Sequence, residues 1–213
     1  MRGDLNSLII GVDFDNTIVG YDDLLFNVAM ERGLIRQDVS RSKRAIRDSI
    51  RLLPEGESKW QQLQALIYGP RMEEAKLIDG IRKFLALSTQ YGAQVYVVSH
   101  KTEYATFDQT GTNIRQAALQ WMAHHRLFDN KRFGLAPESV YFEDTRQGKI
   151  RRIVDLGCTC FIDDLEEIFL EESFPSNVER ILYTPDIEAA PFPGVRVANS
   201  WSAINEYLFD GRA

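Results

Sequence analysis

No run of this chain approaches the roughly 18 consecutive apolar residues that a membrane-spanning helix requires, and its polar opening, MRGDLNS, lacks the apolar core of a signal peptide. The expectation is a cytoplasmic protein that does not engage a membrane. Cysteine is scarce. The two thiols, Cys158 and Cys160, lie one residue apart in an apolar run where strand geometry sends them to opposite faces. They read as reduced core residues, not as a disulfide or a metal site. The three histidines do not make a metal centre either: His124 and His125 are neighbours on a helical stretch and diverge, and His100 is remote in sequence. Positive charge is also short, with Lys+Arg 25 against Asp+Glu 31 and a net charge of -6, which argues against a nucleic acid polymer as partner. One stretch departs from that balance. SRSKRAIRDSIR carries Arg41, Lys43, Arg44, Arg47 and Arg51, a solvated helix face in the simplest reading and an anion-binding patch in the other. There is no internal repeat or low-complexity segment.

What is present is an ordinary globular composition, 44% hydrophobic and 26% charged over 213 residues, enough for one core domain plus an insert. Five short apolar runs read as strands buried on both faces: 8–14, 94–99, 139–142, 158–163 and 180–184. Helical spacing fills the gaps. Ile114, Ala117, Ala118, Trp121 and Met122 recur at i, i+3, i+4, i+7 and i+8, and Ile150, Ile153, Val154 and Leu165, Ile168, Phe169 begin the same pattern. Such alternation predicts an α/β fold, a Rossmann-like doubly wound parallel sheet whose ligands bind beyond the carboxyl ends of the strands. The rhythm breaks once. Between Tyr21 and Ile78 only helical signals occur, so the organisation expected is an α/β core at 1–20 and 79–213 with an all-helical insert at 21–78 after the first strand. The tail after Thr184 is proline-rich and ends in an amphipathic helix around Trp201, Ile204 and Leu208.

The strand ends collect the chemistry. The first run stops at Asp13 and Asp15, the second at Ser99 and the fourth at Asp163 and Asp164, while Lys149 opens the helix before that fourth strand. Parallel strands bring these groups to one edge. Several carboxylates crowded there repel one another, and a divalent cation offsets the repulsion; hard oxygen donors of this kind suit Mg2+. Serine and lysine then neutralise and orient phosphoryl oxygens. By strand alternation Asp13 and Asp15 point to one side and Phe14 to the other, so both carboxylates can address one substrate.

Other readings compete at each position. Asp15 to Thr17 is also a good turn sequence. Asn16, Thr17, His100 and Lys101 are candidate substrate contacts, and Lys101 and Lys131 are rivals of Lys149. Glu143 and Asp144 could approach a metal, with helix capping beside Thr145 as the simpler role. Asp163 and Asp164 could cap the following helix. A phosphate-accepting receiver module also uses acids, a hydroxyl and a lysine, but there the acidic pair comes first, whereas here it follows Lys149.

DFDNT, VYVVS, a lysine fourteen residues before Asp163, and FIDD resemble, in order, the four motifs of the haloacid dehalogenase superfamily. The resemblance covers residues 5–20 and about 80–210, and the helical segment is similar in placement to that superfamily's first type of cap. It implies Asp13 as a nucleophile forming an aspartyl-phosphate and Asp15 as the acid that protonates the leaving oxygen and then activates water. It further implies Ser99 and Lys149 on the transferring group and a magnesium site of Asp13, Asp163, the main-chain carbonyl of Asp15 and, as an outer ligand, Asp164. An acid two positions after the nucleophile resembles the phosphatases and phosphomutases, not the dehalogenases. The expected activity is hydrolysis of a small phosphorylated metabolite, with the insert as a lid. A phosphomutase or phosphotransferase with the same machinery and a non-catalytic binding or regulatory module are the alternatives.

Overall fold

The computed structural model describes residues 8–108, 110–185 and 193–210. In chain order its elements are β1 (Ile9–Val12), β2 (Val19–Gly20), α1 (Asp22–Glu31), α2 (Lys43–Arg51), α3 (Gly56–Tyr68), β3 (Lys76–Leu77), α4 (Ile81–Gln90), β4 (Gln94–His100), α5 (Ile114–His124), α6 (Asn130–Phe133), β5 (Val140–Glu143), α7 (Arg146–Asp155), β6 (Cys160–Asp163), α8 (Glu166–Phe169), β7 (Glu179–Tyr183), β8 (Val195–Ala198) and α9 (Trp201–Phe209). They form two compact units. One takes Met1–Ile18, Leu77–Lys101 and His125–Ala213; the other takes Val19–Lys76 and Thr102–His124.

The first unit is built on a six-stranded sheet in the order β5-β4-β1-β6-β7-β8, parallel throughout. From β1 the chain moves out one way to β4 and β5, then crosses back to lay β6, β7 and β8 on the other side. This is the doubly wound order, whose crevice opens beyond the carboxyl end of the central strand. The central strands are apolar along their whole length because helices cover both faces: Ile10, Val12, Val97, Phe161 and Ile162 have no exposed surface. Register explains one residue of β1. Gly11 lies between Tyr96 and Phe161, and a Cβ there would stand 2.5 Å from the Phe161 ring and 3.1 Å from Cys158 Sγ. Only glycine lets the strands close over that ring.

The strand expected at 180–184 is β7, and β8 joins it beyond the five expected runs. Its sequence, VRVA, alternates apolar and charged residues over four positions and lies in a proline-rich tail, so it carries too little apolar signal to be read as a buried strand. The helix expected around Trp201 is α9. Ser200 caps it by accepting from the Ala203 amide at 3.3 Å, and the buried Trp201 indole donates to the Thr17 carbonyl at 2.9 Å, which anchors the loop leaving β1. Cys158 and Cys160 are both buried, and neither forms a disulfide.

The second unit is helical. Its core gathers Leu25, Val28, Ile46, Ile50, Trp60, Leu63 and Trp121, all buried, and the Trp121 indole donates to the Ala75 carbonyl at 2.9 Å. Compactness groups α5 with these helices, so Thr102–His124 joins 19–76, while the sequence reading drew the helical insert at 21–78 alone. β2 and β3 pair as a ribbon two residues long; β3 lies inside the stretch where the sequence shows only helical signals. The basic run sits on α2 and its approach, and its arginines, exposed except for the half-buried Arg47, are ion-paired: Arg41 with Asp23, Arg44 and Arg47 with Asp48, and Arg51 with Glu57. That is the solvated face of the simpler reading. Among the described residues, no helix is long and apolar enough to cross a membrane.

Candidate active site

The carboxyl end of β1 carries the first acid. The Asp13 amide still donates to the Ile162 carbonyl of β6 at 2.8 Å, after which the chain turns, with the Ile18 amide donating to the Phe14 carbonyl at 2.9 Å. Asn16 occupies the left-handed region at φ 57, a conformation that asparagine accepts better than most side chains. Phe14 goes into the core, edge-on to Phe142 with ring centroids 6.1 Å apart.

Lys149 comes from the first turns of α7. Thr145 caps that helix by accepting from the Gly148 amide at 3.0 Å, and the neighbouring Glu143 is taken by Arg152 at 2.8 Å. The Lys149 ammonium then donates to Asp13 Oδ1 at 2.5 Å and to Asp163 Oδ2 at 2.6 Å, and all three side chains are almost wholly buried. Asp163 ends β6, and its other oxygen accepts from the Leu165 amide at 3.0 Å. The half-buried Asp164 completes a group in which one carboxylate oxygen each from Asp13, Asp163 and Asp164 lie within 4.8 Å of one another.

A second pair stands beside the first. Lys101, at the end of β4, places its ammonium 2.9 Å from Asp15 Oδ2; its main chain is held by an amide hydrogen bond to the Glu143 carbonyl at 2.9 Å. Ser99 is buried in β4, opposite Phe142 in the register with β5, at the same sheet edge as Asp13. His100, by contrast, donates from Nε2 to the Asp144 carbonyl at 3.0 Å and is exposed. Thr17 is buried, and its hydroxyl has no partner among the described residues. Asn16 is half-buried in the turn. The structure thus brings together Asp13, Lys149, Asp163 and Asp164, sets Asp15 with Lys101, and turns His100 elsewhere. The pairing of Lys101 with Asp15 is absent from the sequence reading. There Lys101 is a candidate substrate contact and a rival of Lys149, with no partner named for it.

The electrostatics follow from burial. Asp13 is pushed up to about 6, first by desolvation and then by the negative charges of Asp163 and Asp15, with Lys149 opposing. For Lys149 burial works against the ammonium, but the carboxylates of Asp13 and Asp163 outweigh it and hold the lysine protonated. Three carboxylates against one ammonium leave the group negative. Two unit charges 4 Å apart repel by about 4 kcal/mol at a surface-like effective dielectric, so a cation has a clear electrostatic reason to sit there. Hard carboxylate oxygens, with no nitrogen or sulfur donor in the group, suit a hard metal cation.

No family model and no curated protein matches the chain, whereas solved structures do. A haloacid dehalogenase-like hydrolase from Streptococcus pneumoniae aligns over 95% of this chain and 98% of its own, with 14% identity and a TM-score of 0.60. A HAD family hydrolase from Deinococcus radiodurans with bound phosphate and sodium aligns over 98% and 97%, with 14% identity and a TM-score of 0.56. A putative HAD-hydrolase from Bacillus subtilis bound to magnesium aligns over 94% and 98%, with 14% identity and a TM-score of 0.51. Dehalogenases are also similar. At these identities the likeness speaks for the fold: this chain has the fold of the haloacid dehalogenase superfamily hydrolases.

Proposed function

We propose that this protein is a magnesium-dependent phosphatase that hydrolyses a small phosphorylated metabolite through an aspartyl-phosphate on Asp13. The observation that carries the reading is the division of labour at the end of β1: Asp13 bound to a buried lysine, and a second acid, Asp15, two residues on with a lysine of its own. In the first step an Asp13 carboxylate oxygen attacks phosphorus. The bond from phosphorus to the ester oxygen breaks, its electron pair stays on that oxygen, and the proton comes from Asp15. In the second step the Asp15 carboxylate takes a proton from water as the water oxygen attacks phosphorus. The bond to Asp13 breaks, and inorganic phosphate and the Asp13 carboxylate are regenerated.

Lys149 offsets charge on Asp13 and on the phosphoryl oxygens, and the Ser99 hydroxyl donates to one of them. Asp13, Asp163, Asp164 and the main-chain carbonyl of Asp15 would hold magnesium, which when bound neutralises the carboxylates and the phosphoryl charge. The phosphate and the magnesium bound by the two similar hydrolases support this assignment. Similar dehalogenases raise a second reading, cleavage of a carbon–halogen bond. That chemistry expels a halide and has no use for a proton donor at Asp15, so the paired Asp15 favours the phosphatase. Transfer to a sugar or other acceptor would use the same first step. It is distinguished by phosphorylated acceptor appearing in place of free phosphate.

The test is hydrolysis of para-nitrophenyl phosphate with magnesium, with chelator and by Asp13→Asn. Turnover should require the metal and vanish in the variant. Activity of Asp13→Asn within about tenfold of the parent, roughly 1.4 kcal/mol of barrier, overturns the nucleophile assignment.

A further inference from the structure

We infer that Lys101 is a positioning residue for the proton-transfer chemistry and acts through Asp15 rather than on the substrate; this rests on the reading of Asp15 as the acid and base. The lysine is placed for that task by the sheet. It follows β4 directly, its amide is hydrogen-bonded to the end of β5 at Glu143, and its side chain is 2% exposed. A buried ammonium is expensive to desolvate unless a negative group answers it, and here the answer is Asp15 Oδ2 at 2.9 Å. The Asp15 side chain itself keeps 21% of its surface exposed. It is therefore a carboxylate held by a buried ammonium through one oxygen and still partly exposed.

Phe14 completes the mount. Its ring lies 5.7 Å from the Lys101 ammonium and is locked edge-on against Phe142, so the residue between the two acids is also the aromatic surface beside the lysine. The consequence is a separation of charges. Lys149 serves Asp13 and Asp163, Lys101 serves Asp15, and the nucleophile and the proton carrier are each oriented by a separate cation. The segment after Ser99 thus splits its work: His100 faces the Asp144 carbonyl and Lys101 faces the acid.

A double-mutant cycle tests this. kcat/KM for para-nitrophenyl phosphate and for phenyl phosphate is measured in the magnesium-loaded parent, Lys101→Met, Asp15→Asn and the double variant, with urea melts verifying the fold. General acid–base catalysis is worth about 100-fold or more. Lys101→Met should therefore cost about tenfold or more on phenyl phosphate and less on the para-nitrophenyl ester, whose leaving group needs a proton less. In the Asp15→Asn background the same change should cost less than about twofold. Lys101→Arg, which keeps the charge, should recover most of the loss, and it serves as the second probe if Lys101→Met does not fold.

Equal losses with both esters, or a loss that persists undiminished in the Asp15→Asn background, overturn the inference in favour of a structural or substrate-contacting role. If Asp15→Asn itself leaves both rates unchanged, the assignment of Asp15 is what fails. The inference falls with it, and the cycle shows which of the two was at fault.

Discussion

The charge count at the strand ends makes an asymmetric prediction for Lys149. Its ammonium bridges Asp13 and Asp163 at 2.5 and 2.6 Å with all three side chains buried. In Lys149→Met the aliphatic stem is kept and the charge removed, so two buried carboxylates face each other with Asp164 close by. Breaking a buried ion pair from one side costs about 3–5 kcal/mol. At about 2–4 °C per kcal/mol for a chain of this size, the melting temperature should fall by about 10 °C in chelator.

Asp13→Asn should behave in the opposite way. It removes one of the like charges and leaves Lys149 paired with Asp163, and burial already disfavours the ionised Asp13, whose carboxyl is pushed up to about 6. The melting temperature should stay level or rise. Added magnesium should stabilise Lys149→Met, because the cation supplies the countercharge that the lysine no longer does and binds the native state alone. Circular dichroism melts of the three proteins in chelator and in magnesium measure all of this. A Lys149→Met protein melting within about 2 °C of the parent in chelator, roughly the effect of a single kcal/mol, would refute the account of the cluster as a lysine-bridged anionic pair.

Three further outcomes follow from single residues. Asn205 is buried in α9, and neither its amide nitrogen nor its oxygen has a partner among the described residues. Asn205→Leu should therefore raise stability by about 1 kcal/mol, and a lower urea midpoint would show that the amide is doing something the packing needs. Asn16 is held at φ 57, so Asn16→Gly should leave the urea midpoint nearly unchanged while Asn16→Val loses about 1–2 kcal/mol; equal midpoints for the two would remove backbone conformation as the reason for asparagine there. Burial pushes the Cys158 thiol up to about 12, and Cys160 is equally buried. At pH 8 a thiol reagent should find neither in the native protein and both in denaturant, and a fast-reacting native thiol would contradict this packing.

Much of the core was legible because its signals are local. LIIGVDF, QVYVVS and CTCFID are apolar runs of strand length ended by polar residues, and such runs alternating with helical spacing have one economical arrangement, a parallel sheet covered on both faces. Where the signal was weak the reading was short by one element: VRVA alternates valine with arginine, and β8 takes its place by pairing with β7. The helix at Ile114 was legible as a helix, since its apolar spacing is plain. Its grouping with the helical unit was not, because an apolar stripe says how much must be covered and nothing about what covers it.

The same line divides the candidate site. That Asp13, Ser99 and Asp163 stand at one edge is determined by the sequence, because each ends a strand and parallel strands end on the same side. Which ammonium meets which carboxylate was decided only by the tertiary structure. Lys149 reaches Asp13 across 136 residues of chain, and Lys101 reaches Asp15 from another strand. Such contacts depend on register, helix placement and side-chain direction to within an ångström. A periodic pattern of apolar residues specifies faces and edges and carries no distance of that kind.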